Sequence, residues 1–231
     1  MSTASRAPST LLLVAGGIAV VVALAVFVSI DLTDAFDRSI IEAVRSDLAR
    51  DTLSPLSIVT ELGSTGAVTA MAVVAVVLGV AIGPWRHGVA GAVTILLASL
   101  LNSALKITIA RDRPDLLEPI IVERGFSFPS GHSALGMVAY GVLAVLVSRS
   151  RLPARARTVI IFALGVLVGL IGISRIWLGV HYPTDVLAGW TAGGVIVLIY
   201  AALTRRVSPE PAAGAVDADP AAQRSGPPAA G

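Results

Sequence analysis

Between two strongly apolar runs, the segment Ser174-Arg175-Ile176-Trp177-Leu178-Gly179-Val180-His181-Tyr182-Pro183-Thr184-Asp185 packs an arginine, a histidine and an aspartate into twelve positions. A histidine four residues before an aspartate, with Pro183 between them, suits an imidazole held by a carboxylate at the mouth of a helix. Asp185 would accept the proton of one ring nitrogen and leave the other free as a nucleophile or base. Arg175 adds a planar, permanently charged fork that suits a phosphate. Taken alone, Arg175 and His181 read equally well as interfacial residues at helix ends.

Two further clusters can do related chemistry. In Lys106-Ile107-Thr108-Ile109-Ala110-Arg111-Asp112-Arg113-Pro114, the single lysine of the chain precedes Arg113 by seven positions. The two cations share a helix face if the helix continues to Arg113, with Pro114 as a stop soon after. The plainer alternative is a lysine snorkelling at a helix end beside a solvated loop. In Pro129-Ser130-Gly131-His132, proline, serine and glycine open an apolar helix. Its free N–H groups and dipole make a ready anion site, and His132 in the first turn can deliver a proton. A well-capped helix with an interfacial histidine explains those residues equally well.

The elements that must position these clusters are membrane helices. The chain has 231 residues, 55% hydrophobic and 14% charged, with a mean hydropathy of +0.84. That balance is outside the soluble range and points to one all-α, multi-span membrane domain over residues 1–206. The net charge is only +2 and the basic residues sit in short loops, so nucleic acid is excluded as a partner. The chain has no cysteine, which rules out disulfides, thiolate metal sites and cysteine-based phosphatase chemistry.

Six apolar runs set the expected bundle, at about 11–30, 67–82, 88–109, 132–147, 159–173 and 186–203. Several are shorter than the ~20 residues a crossing needs, so their helices should extend into the flanking loops. The first run continues to Ile30, past the signal-cleavage-like Ala23-Leu24-Ala25, which favours a retained helix. Gly83-Pro84 reads as a tight turn. Between Asp31 and Glu61, Phe36, Ile40, Val44 and Leu48 recur every four residues, the pattern of a short amphipathic helix on the membrane surface. A simple connector is the expected role of that segment, and shaping a lipid entrance is the alternative. Residues 207–231 read as a disordered Ala/Pro/Gly tail.

Orientation follows from the basic residues. The loop 148–158 carries Arg149, Arg151, Arg155 and Arg157 and no acid, which marks it as cytoplasmic together with both termini. Alternate crossings then place loops 110–131 and 174–185 on the extracytoplasmic face. All three clusters therefore share one side. Two of the three histidines, the only lysine, Arg113 and Arg175 would converge near the bilayer surface. Ionisable residues in that position are costly unless they are used. No HExxH motif, aspartate-rich cluster or GxxxxGK loop accompanies them, so a phosphate would be held by basic side chains and a helix N-terminus, with no metal and no cofactor.

In this arrangement the chain resembles the type-2 phosphatidate phosphatase superfamily of membrane lipid phosphatases, to which vanadium haloperoxidases are distantly related. The signature K-x6-RP, PSGH, SR-x5-H-x3-D stands here unaltered as Lys106-x6-Arg113-Pro114, Pro129 to His132, and Ser174-Arg175-x5-His181-x3-Asp185. The resemblance covers roughly residues 50–203. It implies His181 as the nucleophile that forms a phosphohistidine, Asp185 as the group orienting it, and His132 as the acid that protonates the leaving oxygen. It implies Lys106, Arg113, Ser130, the Gly131 amide and Arg175 as the phosphate cradle.

The expected function is metal-independent hydrolysis of the terminal phosphate of a membrane lipid phosphate or diphosphate, at the extracytoplasmic face of a bacterial plasma membrane. Candidate substrates are polyprenyl diphosphate, phosphatidylglycerol phosphate and phosphatidate; the first is preferred because that carrier is recycled on this face. A phosphotransferase passing the phosphoryl group to an alcohol, and a non-catalytic anion transporter, are the alternatives. A transporter would place its charges near the bilayer midplane rather than at helix ends. Nothing in the sequence sets an oligomeric state.

Overall fold

The computed structural model describes residues 6–46, 55–82, 85–115 and 123–206. The tail 207–231, Leu48 and the Gly83-Pro84 turn lie outside them. The described residues form eight helices: α1 (Arg6–Ser29), α2 (Asp34–Ser46), α3 (Pro55–Glu61), α4 (Thr65–Ile82), α5 (Trp85–Ile109), α6 (Gly131–Ser148), α7 (Ala154–Trp177) and α8 (Pro183–Arg206).

α1, α5, α6, α7 and α8 are each long and apolar enough to cross a membrane. The remaining expected span, 67–82, falls in α4, which reaches membrane length only together with α3. α3 and α4 together make the sixth membrane-length element, bent by 54° at residues 62–64. The all-α multi-span architecture expected from the hydropathy is therefore present, with helices that run beyond their apolar runs at most ends.

Residue size decides which helix lies at the centre. α6 is the inner helix: 56% of its span is buried, against 6% for α1. Val138, Ala139, Val142 and Leu146 of α6 pack with Ile95 of α5, Val168 and Ile171 of α7 and Tyr200 of α8. α8 approaches α6 closely because it presents glycines. A methyl group on Gly189 would meet Ser130 O at 2.8 Å, and one on Gly193 would meet Ala134 O at 2.7 Å. That proximity brings the start of α6 to the start of α8, where Ser130 N–H donates to Asp185 O at 3.0 Å. α1, by contrast, leaves Leu11, Leu12 and Leu13 more than 60% exposed, as a lipid-facing helix does.

α2 corrects the expectation of a plain connector. Its buried face is Asp37 and Ile41, continued by Thr33 just before it, and Val44 packs on Trp177, Leu178 and Val180. Phe36, the first residue of the expected apolar stripe, is 52% exposed. The helix therefore turns a mixed polar and apolar face to the protein, and the reason lies in Asp37, which meets Arg111 and Thr184.

Candidate active site

The α7–α8 corner is shaped by local rules that the sequence already contains. α7 ends in a double hydrogen bond, Gly179 N–H to Ile176 O at 3.0 Å and Val180 N–H to Arg175 O at 3.2 Å. This closure requires a left-handed residue, and Gly179 supplies it with φ 76°. The reversal sends His181 back toward the bundle. Pro183 then occupies the first position of α8, where its missing N–H costs nothing. Asp185, two residues on, accepts the Tyr182 N–H at 3.0 Å, as the acid of a capping box does. One carboxylate thus caps a helix and faces an imidazole.

That imidazole is held on both sides. His181 Nδ1 stands 3.3 Å from Asp185 Oδ2 and 3.3 Å from Ser127 Oγ, while the Ser127 hydroxyl itself donates to Asp185 Oδ2. Its Nε2 lies 3.4 Å from Arg113 Nη1. With Nδ1–H turned to the acceptors, the Nε2 lone pair points to the cationic side. His181 is 1% exposed, and burial pushes its pKa down to about 4. Asp185 opposes that shift, and Lys106 and Arg113 add to it. The ring is neutral at any ordinary pH, the state a nucleophile or base needs.

Lys106 and Arg113 reach the same place by a route other than a shared helix face. α5 stops at Ile109, because Ala110 turns left-handed with φ 51°. The chain then leaves the helix, and Ser127 N–H closes on Arg111 O at 2.7 Å. Lys106 Nζ donates to Phe126 O at 2.6 Å and Ser127 O at 3.2 Å. Arg113 donates to Gly125 O at 2.9 Å and Val180 O at 2.8 Å. Arg175, fully buried near the end of α7, donates through Nη1 to Thr60 Oγ1 at 2.7 Å, while its Nε makes no hydrogen bond among the described residues.

The two guanidinium groups meet on one anion. Glu123 pairs with Arg113 at 3.1 Å through one oxygen and contacts Arg175 through the other. Burial works against this carboxyl's ionisation. Arg175, His181, His132 and Arg113 outweigh it, so its pKa lies below the ordinary carboxylate range. His132, in the first turn of α6, is close enough to Arg175, Glu123, His181 and Arg113 to feel their charges. It packs against the α3–α4 bend, where a methyl group on Gly63 would come within 3.2 Å of its ring. Tyr140 fixes that bend by donating to Leu62 O at 2.8 Å. Ser130 precedes α6 and is fully buried, and it accepts from Ser133 Oγ at 3.0 Å. Gly131 follows, facing Asn102 and Lys106.

Every residue the sequence singles out (Lys106, Arg113, Ser130, Gly131, His132, Arg175, His181 and Asp185) stands in this one cluster. Sequence reasoning missed Ser127, Thr60, Glu123 and Asp37. Ser127 and Glu123 come from the loop before Pro129, and Thr60 from the short α3. No periodicity marks any of the three. Arg111 was legible as part of the first cluster, yet its partners were not. Its Nη1 donates to Asp185 Oδ1 at 2.8 Å and its Nη2 to Asp37 Oδ2 at 2.8 Å. Both carboxylates are fully buried, and breaking such a pair from one side costs about 3–5 kcal/mol.

A fully buried arginine and a partly buried one around an anion, with a carboxylate-held imidazole beside them, make an arrangement whose charge suits a phosphoryl group. The PAP2 superfamily profile matches residues 88–208, more than half of the chain, and the chain belongs to that superfamily. It is 44% identical over 95 residues to phosphatidylglycerophosphatase B of Bacillus subtilis (strain 168), covering 41% of this chain and 46% of that protein. It is 30% identical over 119 residues to the undecaprenyl-diphosphatase of Sulfolobus acidocaldarius, covering 48% of this chain and 52% of that protein. A lipid A 1-phosphatase of Rhizobium etli matches at 32% over 122 residues, 49% of this chain and 48% of that protein. The matched stretches thus span about half the length of these relatives.

The fold likeness is broader. A crystal structure of the transmembrane PAP2-type phosphatidylglycerolphosphate phosphatase from Bacillus subtilis superposes with a TM-score of 0.76 at 27% identity, covering 84% of this chain and 97% of that one. The Aquifex aeolicus LpxE structure shares the fold at a TM-score of 0.53 and 20% identity, over 74% of this chain and 95% of that one.

Proposed function

We propose that this protein is an integral-membrane lipid phosphatase that hydrolyses the terminal phosphate of a lipid phosphate or diphosphate through a phosphohistidine on His181, without a metal. The observation that carries the reading is the Glu123 carboxylate, held by Arg113 and Arg175 beside the imidazole. A phosphoryl group offers the same two arginines more oxygens and more charge, so it replaces that carboxylate when substrate enters.

In the first step the His181 Nε2 lone pair forms a P–N bond as the bond from phosphorus to the leaving oxygen breaks, and His132 gives that oxygen its proton. Asp185 steadies the Nδ1–H as the ring becomes cationic. Water then attacks phosphorus, its proton passes to His132, the P–N bond breaks and inorganic phosphate leaves. Arg113, Arg175, Lys106, Ser130 and the Gly131 amide hold the equatorial oxygens, and Arg175 Nε, without a hydrogen-bond partner among the described residues, supplies one more donor.

The relatives bear names that span phosphatidylglycerophosphate, undecaprenyl diphosphate and lipid A, so the shared chemistry is a terminal phosphate on a lipid. The four arginines of loop 149–157 support a cytoplasmic position for that loop and an extracytoplasmic active site. The test is a panel of phosphatidylglycerol phosphate, polyprenyl diphosphate and phosphatidate in detergent, with chelator present, comparing wild type with His181→Gln. Phosphate release by wild type and none by the variant is expected. Activity that depends on added magnesium, or that survives His181→Gln, overturns the mechanism. Phosphate found on an alcohol acceptor instead of free in solution makes the protein a transferase.

A further inference from the structure

We propose that Arg111, clamped by Asp37 of the interfacial helix α2, is a positioning residue for the His181–Asp185 pair, so that α2 is part of the catalytic apparatus. This rests on the reading of His181 as the nucleophile.

Arg111 divides its two terminal nitrogens between two buried carboxylates. Nη1 donates to Asp185 Oδ1 at 2.8 Å and to Thr184 Oγ1 at 2.9 Å. Nη2 donates to Asp37 Oδ2 at 2.8 Å, with Asp34 Oδ1 and Thr33 Oγ1 each at 3.4 Å. The guanidinium plane lies 3.9 Å above the centroid of the Tyr182 ring. Asp37 also accepts the Thr184 N–H at 3.0 Å and the Thr184 hydroxyl at 2.6 Å. Thus α2 grips the first turn of α8 directly at Thr184 and, through the arginine, at Asp185 itself.

The consequence for Asp185 is geometric. Its Oδ2 already serves three partners: the Tyr182 amide, the Ser127 hydroxyl and His181 Nδ1. Arg111 occupies Oδ1, and that contact pins the carboxylate plane. Remove it and a buried oxygen loses its charged donor. The carboxylate is then free to turn, and the imidazole loses a fixed acceptor. Arg111 touches neither Glu123 nor the arginines around it, so its effect on catalysis runs through Asp185.

A charge effect goes with the geometry. The charged and titratable groups around His181 are Asp185 of α8, Lys106 of α5, Arg113 and Arg111 of the loop after α5, His132 of α6, Arg175 of α7, Glu123 of the loop before α6, and Asp34 and Asp37 of α2. Arg111 offsets the charge of Asp185. Without it, the imidazolium gains stability, and the acid limb of kcat/KM moves to higher pH.

The experiment is steady-state kinetics on the full chain in detergent, with a lipid phosphate that wild type turns over, across the acid limb of the pH profile. Arg111→Gln is expected to lower kcat by about 10- to 100-fold, the cost of an ångström-scale misplacement, with KM within about twofold of wild type. The acid limb should move upward in pH. Arg111→Lys keeps the charge and should restore the limb while recovering only part of kcat. Asp37→Asn, which loosens the clamp and keeps the volume, should lower kcat without raising the limb.

The proposal is overturned if the Arg111 variants lose activity only in proportion to lost folded protein, with the limb unmoved. It is equally overturned if KM rises while kcat holds, since that marks a phosphate contact. Should Arg111→Gln fail to fold, Arg111→Lys and Asp37→Asn decide, and wild-type kcat in both ends the idea. His181→Gln run alongside separates the two layers. If it is inactive while Arg111→Gln behaves as wild type, only the positioning role fails; if it stays active, the nucleophile assignment fails.

Discussion

At the end of the bundle where α5 and α7 finish and α6 and α8 begin, arginines meet carboxylates. Arg111 pairs with Asp34, Asp37 and Asp185, and Arg113 and Arg175 share Glu123. At the opposite end they meet neutral oxygens. Arg149 donates to Thr204 Oγ1 at 2.6 Å and Ala201 O at 2.8 Å, and Arg157 donates to Ser150 O at 3.2 Å. Among the described residues, every ion pair lies at the first end. The second end uses arginine to finish helix C-termini and to present charge at a membrane surface. The first end carries charge into the protein, which costs several kcal/mol per ion unless each is paired. Buried charge is thus concentrated around the His181–Asp185 pair, and the other end shows what the same side chain does beside neutral partners.

Asp185→Asn tests the contrast most severely. An amide in place of the carboxylate presents the wrong hydrogen-bonding pattern to Nδ1 and leaves Arg111 without an anion. Phosphate release should fall by about 10⁴-fold, as for other oriented imidazoles that lose their carboxylate. A drop of less than about tenfold would place the orienting work elsewhere.

The next test is titration. The folded-state pKa of His181 is about 4, against 6.5 for a free imidazole, so between those values the unfolded chain binds a proton that the folded chain refuses. Stability from this group is complete above that window and is lost as pH falls through it. Thermal midpoints measured from pH 7 to pH 4 should decline, and His181→Gln should flatten the decline. Identical slopes would mean that His181 is not the buried group responsible.

Glu123→Gln probes the anion already in the cradle. Removing its charge frees the arginines for substrate, and KM for a lipid phosphate should fall by up to ~5-fold, the scale of a partly exposed ion pair. An increase in KM would instead make Glu123 a substrate-binding group. At the far end, Arg149→Gln should leave kcat/KM within about twofold and lower stability by roughly 0.5–1.5 kcal/mol, the worth of the lost hydrogen bonds. A large catalytic loss there would erase the distinction between the ends.

The legible part of the site is the part governed by local rules. Gly179 closes α7, Pro183 opens α8 and Asp185 caps it, so the distance between His181 and its carboxylate follows from a few consecutive residues. Arg113 shows where such reasoning stops. Helical spacing from Lys106 would have brought it to the same face, but α5 breaks at Ala110 and Arg113 arrives through the loop that follows. Asp37 is further from reach. It lies in a segment whose hydrophobic spacing suggests a surface helix, and its partners are 74 and 147 positions away.

From residue order alone came the membrane-spanning class, the single face shared by the charged clusters, and the identity of the histidines, arginines, lysine and carboxylate that gather there. Those depend on hydropathy, helix-terminal chemistry and residue type, all of which act over a few neighbours. The tertiary structure decided the bend between α3 and α4, the Glu123 carboxylate standing between Arg113 and Arg175, and the clamp from α2 through Arg111 to Asp185. Each of these depends on where buried charges find partners. A charge withdrawn from water pairs with whatever opposite charge the packed helices bring within about 3 Å, however far apart the two lie along the chain.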